Sequence, residues 1–148
     1  MNIRSRRAAD NPILLDIWLR SVRATHAFLE PADIDDLYPQ VRDVYLPAVD
    51  VFVAEMADGQ VGGFIGMQGV QVEMLFVDPD RFSQGVGSAL LDHVRKSEEA
   101  LTVDVNEQNP RAHTFYRRYG FVDVGRSEVD SAGRPFPLLH MSLAAAAH

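Results

Sequence analysis

The chain has 148 residues, 47% hydrophobic and 24% charged, with no cysteine and a formal net charge of -7. That length suits one domain burying about 68–70% of its unfolded surface, and the composition excludes disordered and fibrous architectures. The acidic balance argues against phosphate-backbone binding, and the missing cysteines exclude disulfides, thiolate metal sites and a cysteine nucleophile.

No nucleic-acid partner is therefore expected, and the cysteine-free composition fits a reducing cytoplasm. Arg4, Arg6 and Arg7 are not followed by an apolar stretch, so the N-terminus does not read as a secretion signal. No run approaches the ~18 apolar residues of a membrane span. The five histidines lack ligand spacing, and no metal is expected.

Residues 2–6 read as a short strand. Asp10-Asn11-Pro12 is a helix start, and Leu14, Ile17, Trp18 and Val22 recur at three- and four-residue spacing along the helix that follows. Residues 32–45 predict a second helix, crowded by Pro31, Pro39 and Pro47. The period then changes. Residues 49–56 and 61–68 are β-rich runs around Ala57-Asp58-Gly59-Gln60, the pattern of an antiparallel hairpin. Residues 71–77 form a third strand of this region, ending at Asp78-Pro79.

Val86, Leu90, Leu91 and Val94 share one face of a helix expected to begin near Gly85 and to run toward Glu98. Residues 101–105 are another strand. Asn109 can cap a helix that accepts Pro110 in its first turn and reaches Tyr119, where Gly120 supplies a left-handed residue. Strands at 121–129 and 137–143 flank the turn chemistry of Ser131-Ala132-Gly133-Arg134-Pro135, and the tail at 144–147 is expected to fray. No repeat or linker divides the chain, which reads as a single domain over residues 1–148.

The most informative segment runs through Val77, Asp78 and Pro79 to Gln84-Gly85-Val86-Gly87-Ser88-Ala89. A strand turning through two glycines into a helix gathers unpaired N–H groups and the positive end of the helix dipole at one point, which suits a pyrophosphate. Leu90 occupies the third glycine position of a dinucleotide fingerprint, and no Gly-Lys-Ser/Thr is present, so neither common nucleotide loop applies. A second segment, Asn109, Ala112, Phe115, Tyr116, Gly120 and Phe121, spells N-x-x-A-x-x-F-Y-x-x-x-G-F.

Together the two segments resemble the GNAT superfamily of N-acetyltransferases, over residues 49–143. A narrower likeness to a bacterial subgroup runs through residues 21–29, 105–109 and 125–130. The resemblance implies an α/β (α+β) fold with a mixed, mostly antiparallel sheet of six to seven strands and four helices. It implies acetyl-CoA as cosubstrate: Gln84, Gly85, Val86, Gly87, Ser88 and Ala89 at its pyrophosphate, Phe76 and Val77 on the strand that pairs with the pantetheine arm, Asn109 in contact with the cofactor, and Tyr116 near the sulfur. Two positions depart from the family pattern, Phe82 where Arg or Gln is usual and Ser83 where glycine is common.

Transfer of an acyl group from a thioester to an amine needs a neutral amine, a polarised carbonyl and a proton for the departing thiolate. Tyr116 is the candidate acid, and a backbone N–H within residues 75–77 the candidate polarising group. Four side chains are candidates for the base: Glu73, which interrupts an apolar strand where desolvation would raise its pKa; Asp104, on the strand before the Asn109 motif; His26, beyond the first helix; and, after these three, His140 on the last predicted strand. The acceptor is expected to be the amine of a small molecule or peptide, and a homodimer is left open. The alternative reading is a non-catalytic acyl-CoA sensor, and a third is an interaction protein on the same fold.

Overall fold

Asn2–Ser5 (β1) opens the chain in a computed structural model that describes residues 1–95 and 99–145. These residues divide between two units, Met1–Gln68 with Glu73–Val94, and Gly69–Val72 with the described part of Arg95–His148.

In the first unit β1 runs antiparallel to β2 (Asp50–Glu55), β2 antiparallel to β3 (Val61–Gln68), and β4 (Gln71–Val77) lies beside β3. The β2–β3 hairpin closes as its turn residues dictate: Gly59 sits at φ +82°, and the Asp58 carboxylate accepts the Gln60 N–H. Helix α1 (Asn11–Thr25) buries Leu14, Ile17, Trp18 and Val22, the stripe that its periodicity predicts. Helix α2 (Pro31–Gln40) accepts Pro31 in its first turn and Pro39 in its last. The predicted segment then widens into one π turn, Val41–Tyr45, two residues after Pro39 has removed a backbone donor. Helix α3 (Val86–Val94) ends four residues short of the expected Glu98, and residues 96–98 lie outside the described part of the chain.

In the second unit the first residues of β4 pair in parallel with β5 (Leu101–Asn106), Gln71 opposite Thr102 and Val72 opposite Val103. β5 is antiparallel to β7 (Leu138–Leu143), and β7 to β6 (Val122–Ser127). Helix α4 (Pro110–Tyr119) follows β5. Val103 and Val105 of β5 join Met141, Phe121 and Tyr116 in the core. In β6 the register slips at Val124, an extra residue between Asp123, opposite Met141, and Gly125, opposite His140. The predicted strand at 121–129 is thus shortened, with Phe121 buried beneath it. Seven strands, mostly antiparallel, and four helices match the fold read from the sequence. No helix among the described residues is long and apolar enough to cross a membrane, and residues 146–147 of the tail fall outside them.

Helix α1 starts where Asp10-Asn11-Pro12 predicts, and the Asp10 carboxylate is engaged on its other side rather than on that helix. It closes the preceding 3-10 turn by accepting the Arg7 N–H at 2.7 Å, and it takes two hydrogen bonds from Arg4 at 2.9 and 3.1 Å. Arg4 also reaches Glu55 at 2.9 Å, tying β1 to β2. The bonds from that fixed cation are charge-assisted, and such hydrogen bonds are the stronger ones. The Arg4 guanidinium accordingly holds the Asp10 carboxyl below the usual carboxylate range. A depressed folded pKa stabilises above the unfolded value, and that contribution is lost as pH falls through the folded value. Asp10→Asn should lower stability at pH 7 by about 2 kcal/mol, the scale of hydrogen bonds to a charged group, and flatten the loss of stability below about pH 4. Urea titrations at pH 7 and pH 3 check this; equal midpoints for both proteins at pH 7 would refute it.

Candidate active site

The glycine turn expected to meet the pyrophosphate lies in the first unit. β4 ends at Val77, where the Asp78 N–H donates to the Gly62 carbonyl at 2.8 Å. The Asp78 carboxylate caps the short turn Pro79–Arg81 by accepting the Asp80 N–H, and Arg20 of α1 grips the same carboxylate with two bonds of 2.8 and 2.9 Å. That guanidinium lowers the Asp78 pKa, keeping it anionic. Beyond it, Ser83 adopts φ +67° and Gly85 φ +78°. Ser83 thus takes a left-handed conformation at a position where glycine is common in the family.

Gly85 is the pivot. A Cβ there would meet no atom within 4 Å, so glycine is required by its backbone angle and leaves open space beside the chain. The first helical bond of α3 runs from the Ala89 N–H to the Gly85 carbonyl at 3.0 Å. The amides of Val86, Gly87 and Ser88 therefore have no carbonyl one turn back, and they suit a diphosphate. Two residues read from the sequence as part of this grip are engaged otherwise: the Ala89 amide belongs to the helix, and the Gln84 amide donates to the Arg81 carbonyl at 3.3 Å. The helix seats closely because Gly63 of β3 has no side chain; a Cβ there would lie 2.9 Å from both the Phe76 carbonyl and Val86 Cγ1. Gly63 and Arg20 escaped the sequence reading, since each acts on a segment distant along the chain.

Glu73 does not sit as expected. Val72 and Met74 are buried and Glu73 is exposed, because alternate residues of a strand face opposite sides. The apolar neighbours that suggested desolvation face the core while Glu73 faces away from it. His26 stands at the end of α1. The Thr25 hydroxyl donates its single proton to the Ser21 carbonyl at 2.8 Å, so it accepts from His26 Nδ1 at 2.8 Å, leaving the ring's lone pair on Nε2. Burial pushes the His26 pKa down to about 4, so the ring is neutral at pH 7 and its conjugate acid is strong.

In the second unit Asn109 is buried and its Oδ1 accepts the Ala112 N–H at 3.2 Å, capping α4 as its sequence predicts. Tyr116 is buried one turn before Gly120, packed edge-on against Phe115 and Phe121 with ring centroids 5.2 Å away in each case. Burial raises its phenol pKa, so the proton stays on the oxygen at neutral pH. α4 covers the sheet face that carries Asp123, which bonds His113 at 2.8 Å. Asp104 lies on the opposite face of β5, where its carboxylate meets His140.

A glycine turn that frees helix amides, a capped helix carrying a buried tyrosine, and a mixed sheet of seven strands define an acyl-CoA-dependent acyltransferase. Residues 47–123 match the family described as an acetyltransferase (GNAT) domain. The chain is 42% identical to the peptidyl-lysine N-acetyltransferase YjaB of Salmonella typhimurium, over 95% of its own length and 97% of that protein. The solution structure of apo-form YjaB from Escherichia coli superposes with a TM-score of 0.88 at 41% identity, covering 98% of each chain. The fold is also that of yncA from Salmonella typhimurium, a structure with its cofactor acetyl-CoA, at a TM-score of 0.67 and 23% identity over 100% of this chain and 95% of that one. The chain belongs to the GNAT family of N-acetyltransferases.

Two outcomes check this half-by-half description. Gly85→Ala should destabilise the protein by about 1 kcal/mol, the cost of a left-handed alanine, and weaken acetyl-CoA binding in calorimetry; unchanged affinity would remove Gly85 from the site. His26 stabilises fully above the ~6.5 of an unfolded imidazole, and that contribution is lost as pH falls toward its folded value of about 4. The wild-type melting temperature should therefore fall more steeply over that window than that of His26→Gln, and parallel curves would contradict the assignment.

Proposed function

We propose that this protein, acting as one cytoplasmic N-acetyltransferase domain, transfers the acetyl group of acetyl-CoA directly to the side-chain amine of a lysine in a peptide, with Tyr116 as general acid. What carries the reading is the opening of α3 at Gly85, in a chain similar over nearly its whole length to a peptidyl-lysine N-acetyltransferase. The amides of Gly85–Ser88 hold the diphosphate, Phe76 and Val77 offer strand edge to the pantetheine arm, and a backbone N–H within residues 75–77 polarises the thioester carbonyl.

Tyr116 then supplies the proton that the sulfur needs on departure. A free phenol, at pKa ~10, is a weaker acid than a thiol at ~8.5, and burial strengthens its hold on the proton. The transfer is therefore favourable only when the thiolate forms beside it in the same dry environment. This ties proton delivery to cleavage, and the phenol does not ionise beforehand.

A lysine-containing peptide, polyamines, aminoglycosides and free amino acids, assayed for thiol release from acetyl-CoA, test the acceptor; the peptide should be fastest. Tyr116→Phe should lose turnover by about 10²-fold, the range of general acid catalysis, with the acetyl-CoA Kd unchanged. Equal turnover in the two proteins would dismiss Tyr116 as the acid, and acetyl-CoA binding without thiol release would favour the sensor.

A further inference from the structure

Three strands of the second unit bring together side chains that lie far apart in sequence. Asp104 of β5 stands directly opposite His140 of β7, and its Oδ1 lies 2.6 Å from His140 Nδ1. On the other side of the ring is Gly125 of β6, where a Cβ would be 3.4 Å from His140 Cδ2. The ring therefore reaches diagonally across β6, and its Nε2 lies 2.6 Å from the hydroxyl of Ser127. The register slip creates this opening: in regular pairing from Asp123, the branched Val124 would stand opposite His140. A carboxylate accepts only, so Nδ1 carries the proton in the neutral ring, and the lone pair of Nε2 takes the Ser127 O–H.

We infer that His140 is the base for the acceptor amine, taking its proton through the Ser127 hydroxyl, with Asp104 as the positioning residue that fixes the ring's tautomer. The inference rests on the transferase reading above. As the amine nitrogen bonds to the acetyl carbon and the carbon–sulfur bond breaks, an N–H proton passes to Ser127 Oγ and the Ser127 proton passes to His140 Nε2. The imidazolium is stabilised by Asp104 and releases its proton to water from the half-exposed ring. Tyr116 protonates the sulfur and recovers its proton from solvent, so the sum is a thiol and an amide.

The arrangement satisfies two requirements. Ring nitrogen, hydroxyl and carboxylate are in hydrogen-bond contact, the geometry that couples a base to its orienting group. Tyr116 is on the helix that covers the Val103–Met141 face of β5, and His140 is on the other face, so acid and base do not exchange a proton directly. Among the described residues the ring meets Asp104 from β5 and the uncharged Gly125 and Ser127 from β6, while Glu107 and Arg126 pair with each other at 2.5 Å. Among the other candidates, Asp104 has its Oδ1 committed to the ring, and His26 is a weak base.

The test measures turnover against pH with a lysine peptide, acetyl-CoA affinity by calorimetry, and the ¹⁵N shifts of His140 by NMR. His140→Gln should cut turnover by about 10²-fold, remove the acidic limb of the pH profile and leave the acetyl-CoA Kd unchanged. Asp104→Asn should cost about tenfold, and Ser127→Ala about as much. In the wild type at neutral pH, the His140 proton should sit on Nδ1, and Asp104→Asn should displace it. Turnover in His140→Gln within about twofold of wild type with the acidic limb intact, or a wild-type proton on Nε2, overturns the assignment. Thiol release that survives in His140→Gln leaves the transferase standing without this base; no release from the wild type with any amine removes both.

Discussion

The two-toothed ion pair between Arg20 and Asp78 fixes the point where β4 gives way to the turn into α3. Arg20 is also bonded to Asp16 one turn earlier on α1, so the guanidinium is itself held before it meets the carboxylate. Asp78 in turn organises backbone: its own amide binds Gly62, and its carboxylate binds the Asp80 amide. From that anchored corner the chain has seven residues in which to reverse and begin α3. The left-handed angles at Ser83 and Gly85 accomplish this. The direction in which the Val86, Gly87 and Ser88 amides point is thus set by a contact between residues 58 apart in sequence.

What the sequence discloses is what short-range chemistry decides. The Asp58-Gly59 turn, the Asn109 cap, the stripe on α1 and the glycine opening of α3 each depend on residues within one or two turns of one another, and each forms as its composition predicts. What it withholds depends on which strands become neighbours. Asp104 and His140 are 36 residues apart, and their meeting follows from β7 returning beside β5. The surroundings of Glu73 are hidden for a related reason: its apolar neighbours describe one face of β4, and its own side chain belongs to the other. Asp10 is a further case, since its carboxylate joins the local Arg7 amide to Arg4 of β1, a partner that the helix start signal does not disclose.

The chemistry divides along the same lines. The proposed cofactor grip draws on main-chain amides and asks of side chains chiefly the absence of a Cβ at Gly85 and at Gly63. The proposed proton handling, by contrast, rests on side chains whose environments differ: a phenol buried under aromatic rings, and an imidazole on an open face between a carboxylate and a hydroxyl.

The extra residue in β6 has a second effect. Among the described residues β6 pairs only with β7, so its outer edge presents unused hydrogen-bonding groups flanked by Val122 and by Val124, which is 64% exposed. A flat apolar edge of this kind invites strands from other molecules to stack against it. A bulge bends and twists a strand, so an incoming chain could keep register for only a residue or two on either side of Val124. The insertion that clears room for the imidazole ring thereby also guards the molecule against edge-to-edge aggregation, and a regular strand in its place would leave that edge open.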